Sequence, residues 1–309
     1  MPDLSAVAAR WGRVDEPPTL VAARENHVYR CQIEGQAMAL RLHRMGYQSE
    51  AAIESELRWM TRLAEVGFPC PCPVPTSTGA VLETLETGQH ASAISWLDGE
   101  AIGDGDTALT GSEQELRALF AAVGALIAAF HDATDAIDTA DLIRPAWDAD
   151  ALVGDAPLWG KFWENPTLSE AEADLLIEAK ARAYDTLVTM DTVDAGLIHA
   201  DCLQENILST PAGLALIDFD DAGFGYRGYD LGTALVQHYA HPRLALLGDA
   251  LLAGYGTLRT PPSPAELRFF TMLRAMASCG WVVTRGAGDL AYQRAQADRA
   301  MTCVQAWLE

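Results

Sequence analysis

The sequence predicts an α+β fold in two lobes: a small β-rich lobe over residues 1–97 and a larger, mainly helical lobe over residues 98–309. Three observations predict it. Residues 19–43 alternate at the β period. Two later stretches run at the helical period, each opening on a capping box. A Gly/Asp-rich crossing, "DGEAIGDGDTA", separates the two patterns. At 309 residues the chain is long enough for two lobes with a substantial core.

Taken in order, "LSAVAARWG" reads as a short amphipathic helix. "TLVAARENHVYRCQIEGQAMALRLHR" offers three short strands, with turns near Glu25-Asn26 and Glu34-Gly35. The stretch "SEAAIESELRWMTRLAEVG" is a helix, with Ile53, Leu57, Met60 and Leu63 on one face and Gly67 closing it. "FPCPCPVPT" continues neither a helix nor a central strand, so it is an extended connector. "AVLETLE" and "ASAISWL" then read as a strand pair, giving five strands and one inserted helix. After the crossing, Ser112 and Glu115 box the start of a buried helix whose stripe is Leu116, Leu119, Phe120, Val123, Leu126, Ile127 and Phe130. Ser169 and Glu172 start another, and three or four more helices follow residue 228. There is no internal repeat and no low-complexity tract.

Half the residues are hydrophobic, and 43 acids against 21 bases give a formal charge of −22. That charge excludes nucleic acid and anionic membrane as partners, because phosphates are repelled. It fits either general solubility or attraction of a cationic substrate. No basic start leads into an apolar signal segment, and no run approaches a membrane-spanning length, so the expected location is the cytoplasm. Cys31, Cys70, Cys72, Cys202, Cys279 and Cys303 are expected as free thiols there. The "CPCP" at Cys70 lacks the paired spacing of a zinc site.

The polar residues of "LIHADCLQENIL" interrupt what is otherwise an apolar strand, and "LALIDFDDAG" again sends an Asp out of one. Asp201 and Asn206 stand on the loop after "GLIH", and Asp218 ends "LALI". A hairpin with Pro211 and Gly213 as turn formers joins them and is expected to bring Asn206 and Asp218 together beside Asp201. One anionic and one neutral oxygen ligand suit Mg2+, which keeps waters and completes its octahedron with phosphates. A separate carboxylate can accept a proton from an attacking hydroxyl. Those are the parts of phosphoryl transfer in kinases: a loop Asp as base, a loop Asn and a second Asp on metal. The same residues would also serve as a polar loop that merely caps backbone N–H groups.

"HADCLQEN" followed by "IDFDDAG" resembles the H-x-D-x-x-x-x-N and D-F-[GD] elements of the aminoglycoside phosphotransferase/choline kinase superfamily. The resemblance extends over nearly the whole chain. It implies a bilobal protein-kinase-like fold, ATP and Mg2+ as cofactors, Asp201 as the catalytic base, and Asn206 and Asp218 as metal ligands. In "ENHVYRCQIEGQAMALRLHR", the strand that normally carries the family's phosphate-binding Lys has Arg41 in its place, oriented by Glu56 of "IESELRWM". Arg is a longer, planar fork of fixed charge, so a phosphate on it sits differently. An ordinary surface ion pair is the plainer account of Arg41 and Glu56. The loop "AARENHVYR" has no glycine, which leaves Asn26 as its candidate nucleotide contact; it is neither a kinase Gly-rich cover nor a P-loop. "AISWLDGE" resembles the hinge strand, whose backbone at Trp96 and Leu97 would meet adenine; a buried strand with an incidental Trp is the alternative. Asp230 in "YRGYDLGTAL" matches the Asp that braces the catalytic loop, or else is a helix N-cap. His199 supports the loop, and His131 of "FHDAT" packs.

No activation segment of protein-kinase length fits between Asp218 and Asp230, and no A-P-E follows, which favours a small-molecule hydroxyl acceptor over a docked protein. The insert "RPAWDADALVGDAPLWGKFWENP" is similar to a segment of the homoserine-kinase and stress-response-kinase branch. Its Trp147, Trp159, Phe162 and Trp163 either line the acceptor cleft or pack against the larger lobe. The leading expectation is an ATP-dependent phosphotransferase acting on an amino acid, amino alcohol, sugar or aminoglycoside-like alcohol. The alternatives are a stress-response-type Ser/Thr protein kinase and a catalytically weak kinase-like nucleotide binder. A metallohydrolase on His199 and Asp201 lacks a further His at ligand spacing. Neither the acceptor's identity nor an oligomeric state follows from the residues.

Overall fold

The computed structural model describes residues 2–23, 26–105, 107–190, 194–285 and 288–309. They form two compact units, each discontinuous in sequence. The first gathers Met1–Glu100, Ala136–Arg144 and Leu208–Asp220; the second gathers Ala101–Asp135, Pro145–Ile207 and Asp221–Glu309.

The first unit opens with helix α1 (Leu4–Ala8), whose N-cap Asp3 accepts from Ser5 N and Ala6 N. Strands β1 (Val14–Ala23), β2 (His27–Ile33), β3 (Gln36–Leu42), β4 (Pro73–Val74), β5 (Glu83–Thr84) and β6 (His90–Ser95) form one sheet in the order β1-β2-β3-β6-β4, with β5 also on β6. All these pairings are antiparallel. The β2–β3 hairpin turns at Glu34 and Gly35, both with positive φ (51° and 77°), the backbone a two-residue turn of matching twist demands. Glu25 lies outside the described residues, so the first expected turn is defined from Asn26 onward.

The sheet has six strands where five were expected. The extra one is Pro73–Val74, inside the proline-rich connector. It sits at the sheet's edge, where a residue lacking an N–H is tolerated. Strand β1 also begins earlier than the β pattern signals, because Pro17 and Pro18 hide its start. It too is an edge, broken by register shifts. Helix α2 (Glu50–Glu65) starts at Ser49, whose side chain accepts from Ala52 N, and ends before Gly67 at φ 83°. Its predicted stripe of Ile53, Leu57, Met60 and Leu63 is fully buried.

The second unit is mainly helical: α3 (Glu113–Asp135), α4 (Ala149–Val153), α5 (Glu170–Thr189), α6 (Arg227–Val236), α7 (Leu244–Tyr255), α8 (Pro264–Arg285) and α9 (Leu290–Leu308). Both expected capping boxes are formed, at Ser112–Glu115 and Ser169–Glu172. A small sheet places Gly223–Tyr226 between Ala146–Trp147, parallel, and Ala195–Ile198, antiparallel. Trp147, Trp159 and Phe162 are buried in the core with Tyr229 and residues of α8. Trp147 stacks on Tyr229 at 5.6 Å and meets Trp159 edge-on at 5.1 Å. Of the two readings of this aromatic cluster, packing accounts for these three rings.

One expectation is corrected. Helix α3, 23 residues, is long and apolar enough by length and composition to cross a membrane, where no run was expected to approach that length; half of the apolar window is buried inside the protein. The reason is its packing against α7. The two backbones touch, because a Cβ on Gly124 would lie 2.0 Å from Leu251 O and one on Gly254 1.9 Å from Ala121 O. Gly124→Ala is therefore expected to destabilise the protein by about 1–3 kcal/mol or more, read as a lower urea midpoint. An unchanged midpoint would contradict so close a helix contact.

Candidate active site

In the second unit, Ala195–Ile198 delivers the chain into His199, Ala200 and Asp201. Ala200 has φ 64°, a left-handed backbone that costs a non-glycine residue energy and needs fixing from outside. The fixing group is Asp230, fully buried on α6, whose Oδ2 accepts from His199 N at 2.8 Å and Oδ1 from Ala200 N at 2.7 Å. Buried His131 approaches Asp230 Oδ2 through Nε2 at 3.0 Å and Tyr255 OH through Nδ1 at 2.9 Å. Burial pushes the His131 pKa down, more than Asp230 raises it, so the ring is neutral and one N–H serves the carboxylate. Asp230 lies inside α6, whose N-cap is Tyr226, so of the two readings of this residue the geometry selects the loop brace over the cap. His199 accepts from Asp201 N through Nδ1 at 3.3 Å.

Asp201 and Asn206 are brought together. Asn206 Nδ2 donates to Asp201 Oδ2 at 2.7 Å and to Asp201 O at 2.9 Å. With the amide nitrogen committed this way, Asn206 Oδ1 is the atom left to serve as a ligand. The other carboxylate oxygen of Asp201 accepts from Arg274 Nη2 at 2.8 Å. Arg274 lies over the Trp159 ring at 4.5 Å and donates through Nη1 to Ser278 Oγ. Burial works against the charge on Arg274, but Tyr229 and Asp201 outweigh it and keep the guanidinium charged. Gln237 completes the loop's support, accepting from Gln204 N at 3.0 Å and donating to Glu205 Oε2 at 2.7 Å.

In the first unit, Arg41 and Glu56 form a buried pair, Nη1 to Oε1 at 2.6 Å, rather than a surface one. The second guanidinium nitrogen of Arg41 reaches Asp220 Oδ1 at 3.4 Å. Arg144 lies 3.8 Å from the other oxygen of Glu56 and donates to Phe219 O and Asp220 O, and Gln48 also donates to Asp220 O. Burial raises the Glu56 pKa, but Arg41 and Arg144 more than offset it, so the carboxylate stays ionised. Asp218 belongs to this unit, with φ 65° and a charge that helps hold Arg41 protonated. Like Ala200, Asp218 is a non-glycine residue in the left-handed region, a backbone that its surroundings must hold in place.

The remaining predicted residues are placed less openly. Asn26 is buried and its Oδ1 accepts from Arg44 N at 3.1 Å, so that carbonyl is committed to the backbone. Trp96 N donates to Ala37 O at 3.2 Å, and Arg30 lies over its ring at 5.0 Å. Leu97 is half-buried beside it. Among the described residues no three His, Cys, Asp or Glu side chains gather as a metal cage. An ion carried by phosphates needs only one or two chain ligands, and an amide oxygen such as Asn206 Oδ1 or a carboxylate such as that of Asp218 has the chemistry to be one. The sequence reading missed Arg274, Arg144, Gln48 and Asp220. A signal existed for the first: a lone Arg inside the apolar helix "FFTMLRAMASCGW" must have a partner.

The family described as "Phosphotransferase enzyme family" matches residues 19–270. A homoserine kinase of Mesorhizobium japonicum is 30% identical over 233 residues, which are 73% of this chain and 66% of that protein. The solved structure of a microcompartment-associated aminopropanol kinase has 26% identity and a TM-score of 0.83, covering 98% of this chain and 96% of its own. The amicoumacin kinase hAmiN, solved with AMP-PNP, Ca2+ and Ami, has 20% identity and a TM-score of 0.76, covering 98% and 92%.

Buried histidines set a pH dependence, His43 and His238 beside the His131 already described. Burial, then Arg41, pushes His43 down to about 3; burial, then His241, pushes His238 down to about 4. An unfolded histidine titrates near 6.5. Between that pH and about 4 the unfolded chain binds protons that the folded chain refuses, so stability falls as pH falls through this window. Urea unfolding at about pH 7 and about pH 5 is expected to show the loss, and His43→Gln to reduce it. An equal loss in the variant would remove His43 from the account.

Proposed function

Because the chain belongs to the phosphotransferase enzyme family, we propose that it moves the γ-phosphoryl group of ATP to a hydroxyl of a small molecule, using Mg2+. The carrying observation is the Asp201–Asn206 pair, locked at 2.7 Å in a loop held by Asp230. Asp201 orients the acceptor hydroxyl and takes its proton late, so its main effect is positioning. Arg274 fixes one oxygen of that carboxylate and so limits the directions in which it can accept. Asn206 Oδ1 and the Asp218 carboxylate are the chain's ligands for the ion. When bound, the ion neutralises charge building on the transferred group. Arg41, set by Glu56, lies on the phosphate side, and the backbone of Trp96 and Leu97 meets the base; with Trp96 N already bonded to Ala37, Leu97 N is the donor assigned. On this reading residues 1–97 bind nucleotide, and residues 98–309 supply the catalytic loop and acceptor site.

The relatives named above act on homoserine and aminopropanol, which supports a short hydroxylated amine or amino acid as acceptor. ATP-dependent chemistry and six free cysteines support a cytoplasmic enzyme. A second reading, a nucleotide binder without turnover, draws on one observation: both guanidinium nitrogens of Arg41 already face carboxylates.

Asp201→Ala is expected to lower turnover in an ADP-release assay by about a hundredfold or more while leaving the Mg-ATP thermal shift in place. Equal loss of both would contradict its role. Asp218→Ala is expected to abolish the thermal shift given by Mg-ATP, and a retained shift would remove it from the metal site. If the unaltered chain binds Mg-ATP and releases no ADP with any hydroxylated acceptor, the second reading stands instead.

A further inference from the structure

The hydrogen bonds that brace the catalytic loop join four separate elements of the second unit. Tyr255 ends α7, His131 lies on α3, Asp230 on α6, and His199 follows the strand Ala195–Ile198. Hydrogen bonds weaken steeply as distance and angle leave the ideal, so the brace depends on whatever keeps those four elements in register.

A ring of charges joins the same four elements. Arg227, buried in the first turn of α6, donates through Nη1 to His131 O at 3.0 Å and pairs through Nη2 with Asp135 at the end of α3. Its Nε lies 3.1 Å from Asp194 Oδ1, just ahead of the strand, without the alignment of a hydrogen bond, and its backbone N donates to Asp194 O at 2.9 Å. Arg259, just past α7, reaches the same two carboxylates, Asp135 at 2.8 Å and Asp194 at 3.3 Å, and Asp132 of α3 at 2.8 Å. Arg227, Asp135, Arg259 and Asp194 thus close on one another. The ring also lies against the strand itself, since a Cβ on Gly196 would run into the Arg227 guanidinium.

A lone exposed ion pair contributes little, but here each carboxylate is shared by two guanidinium groups and Arg227 is hidden from water. Burial works against the charge on Arg259, and Asp135 and Asp132 more than offset it. A guanidinium fork reaches two partners at once, which an ammonium does not. Arg227 and Arg259, with Asp194 and Tyr255, also wall a cleft of about 950 Å3, so a change at the ring's outer side has room to relax without unpacking the core. We infer that Arg227 and Arg259 are positioning residues for the reaction: the ring they close with Asp135 and Asp194 sets the register of α3, α6, α7 and the strand, and through Tyr255, His131 and Asp230 it fixes the loop that carries Asp201. The inference rests on the phosphotransferase reading and extends the loop's support to residues that do not touch the loop.

Because Arg227 is buried and its loss threatens folding, the test uses Arg259→Gln and Asp194→Asn. Amide hydrogen exchange is followed on the full chain without nucleotide or acceptor. Both variants are expected to lose protection at the His199 and Ala200 amides by about 3–30-fold, while amides of α9, which contributes nothing to the ring, keep theirs. Arg259→Lys should recover part of the loss, since it returns the charge without the fork. In an ADP-release assay the same two variants are expected to lose a similar factor in kcat with KM for Mg-ATP unchanged. Unaltered protection of His199 and Ala200 in both variants, an equal loss of protection along the whole chain, or a kcat equal to that of the unaltered chain would overturn the inference. If the unaltered chain releases no ADP with any acceptor, the kinase reading fails, and hydrogen exchange alone decides whether the ring holds the loop.

Discussion

A single buried carboxylate, Asp230, holds the backbone that presents Asp201. Its two oxygens accept from consecutive peptide N–H groups, His199 and Ala200, and the second of these residues is in a left-handed conformation. Such a backbone persists only where its surroundings over-determine it. Neutral His131 supplies a further bond to the carboxylate, and Tyr255 holds His131 from behind. The chain from α7 through α3 and α6 to the loop is therefore a run of hydrogen bonds with no exposed member among His131 and Asp230. A buried, fully bonded network of this kind rigidifies what it touches, while a partly bonded one is costly.

The first unit meets a different demand. Arg41, Glu56, Arg144 and Asp220 form a charge cluster with two guanidinium groups and two carboxylates, largely hidden from water. Charges are tolerated there because each is paired or bonded, and removing one partner would leave the others uncompensated. The cluster draws together β3, α2, the segment after residues 213–216, and Arg144 from another stretch of chain. It thus explains why residues 136–144 and 208–220 belong with the N-terminal hundred. The arginine at residue 41 has a physical rationale here: a fork can serve Glu56 and Asp220 at once, which a single ammonium does less well.

Much of the fold was legible because its signals are local. Ser49, Ser112 and Ser169 cap the helices that their spacing announces, and Glu34-Gly35 makes the turn that two positive φ values require. The Asp201–Asn206 contact was legible for the same reason, since the two stand five positions apart on one loop. What escaped was long-range or disguised. Arg274 meets Asp201 across 73 residues, a pairing no periodicity encodes. Pro73 joins the sheet because it finds an edge, which sequence alone does not reveal. Helix α3 reads as membrane-spanning in length because helix-on-helix burial by α7 needs the same apolar composition.

On the proposed function, Asp230 acts on the reaction by fixing the loop that carries Asp201. Asp230→Asn keeps the shape but turns one acceptor into a donor facing a peptide N–H, so it tests this most directly. With Mg-ATP and the best acceptor, ADP release is expected to fall by about a hundredfold or more, while the variant stays folded and keeps its Mg-ATP thermal shift. A folded variant that turns over at the unaltered rate would contradict the claim.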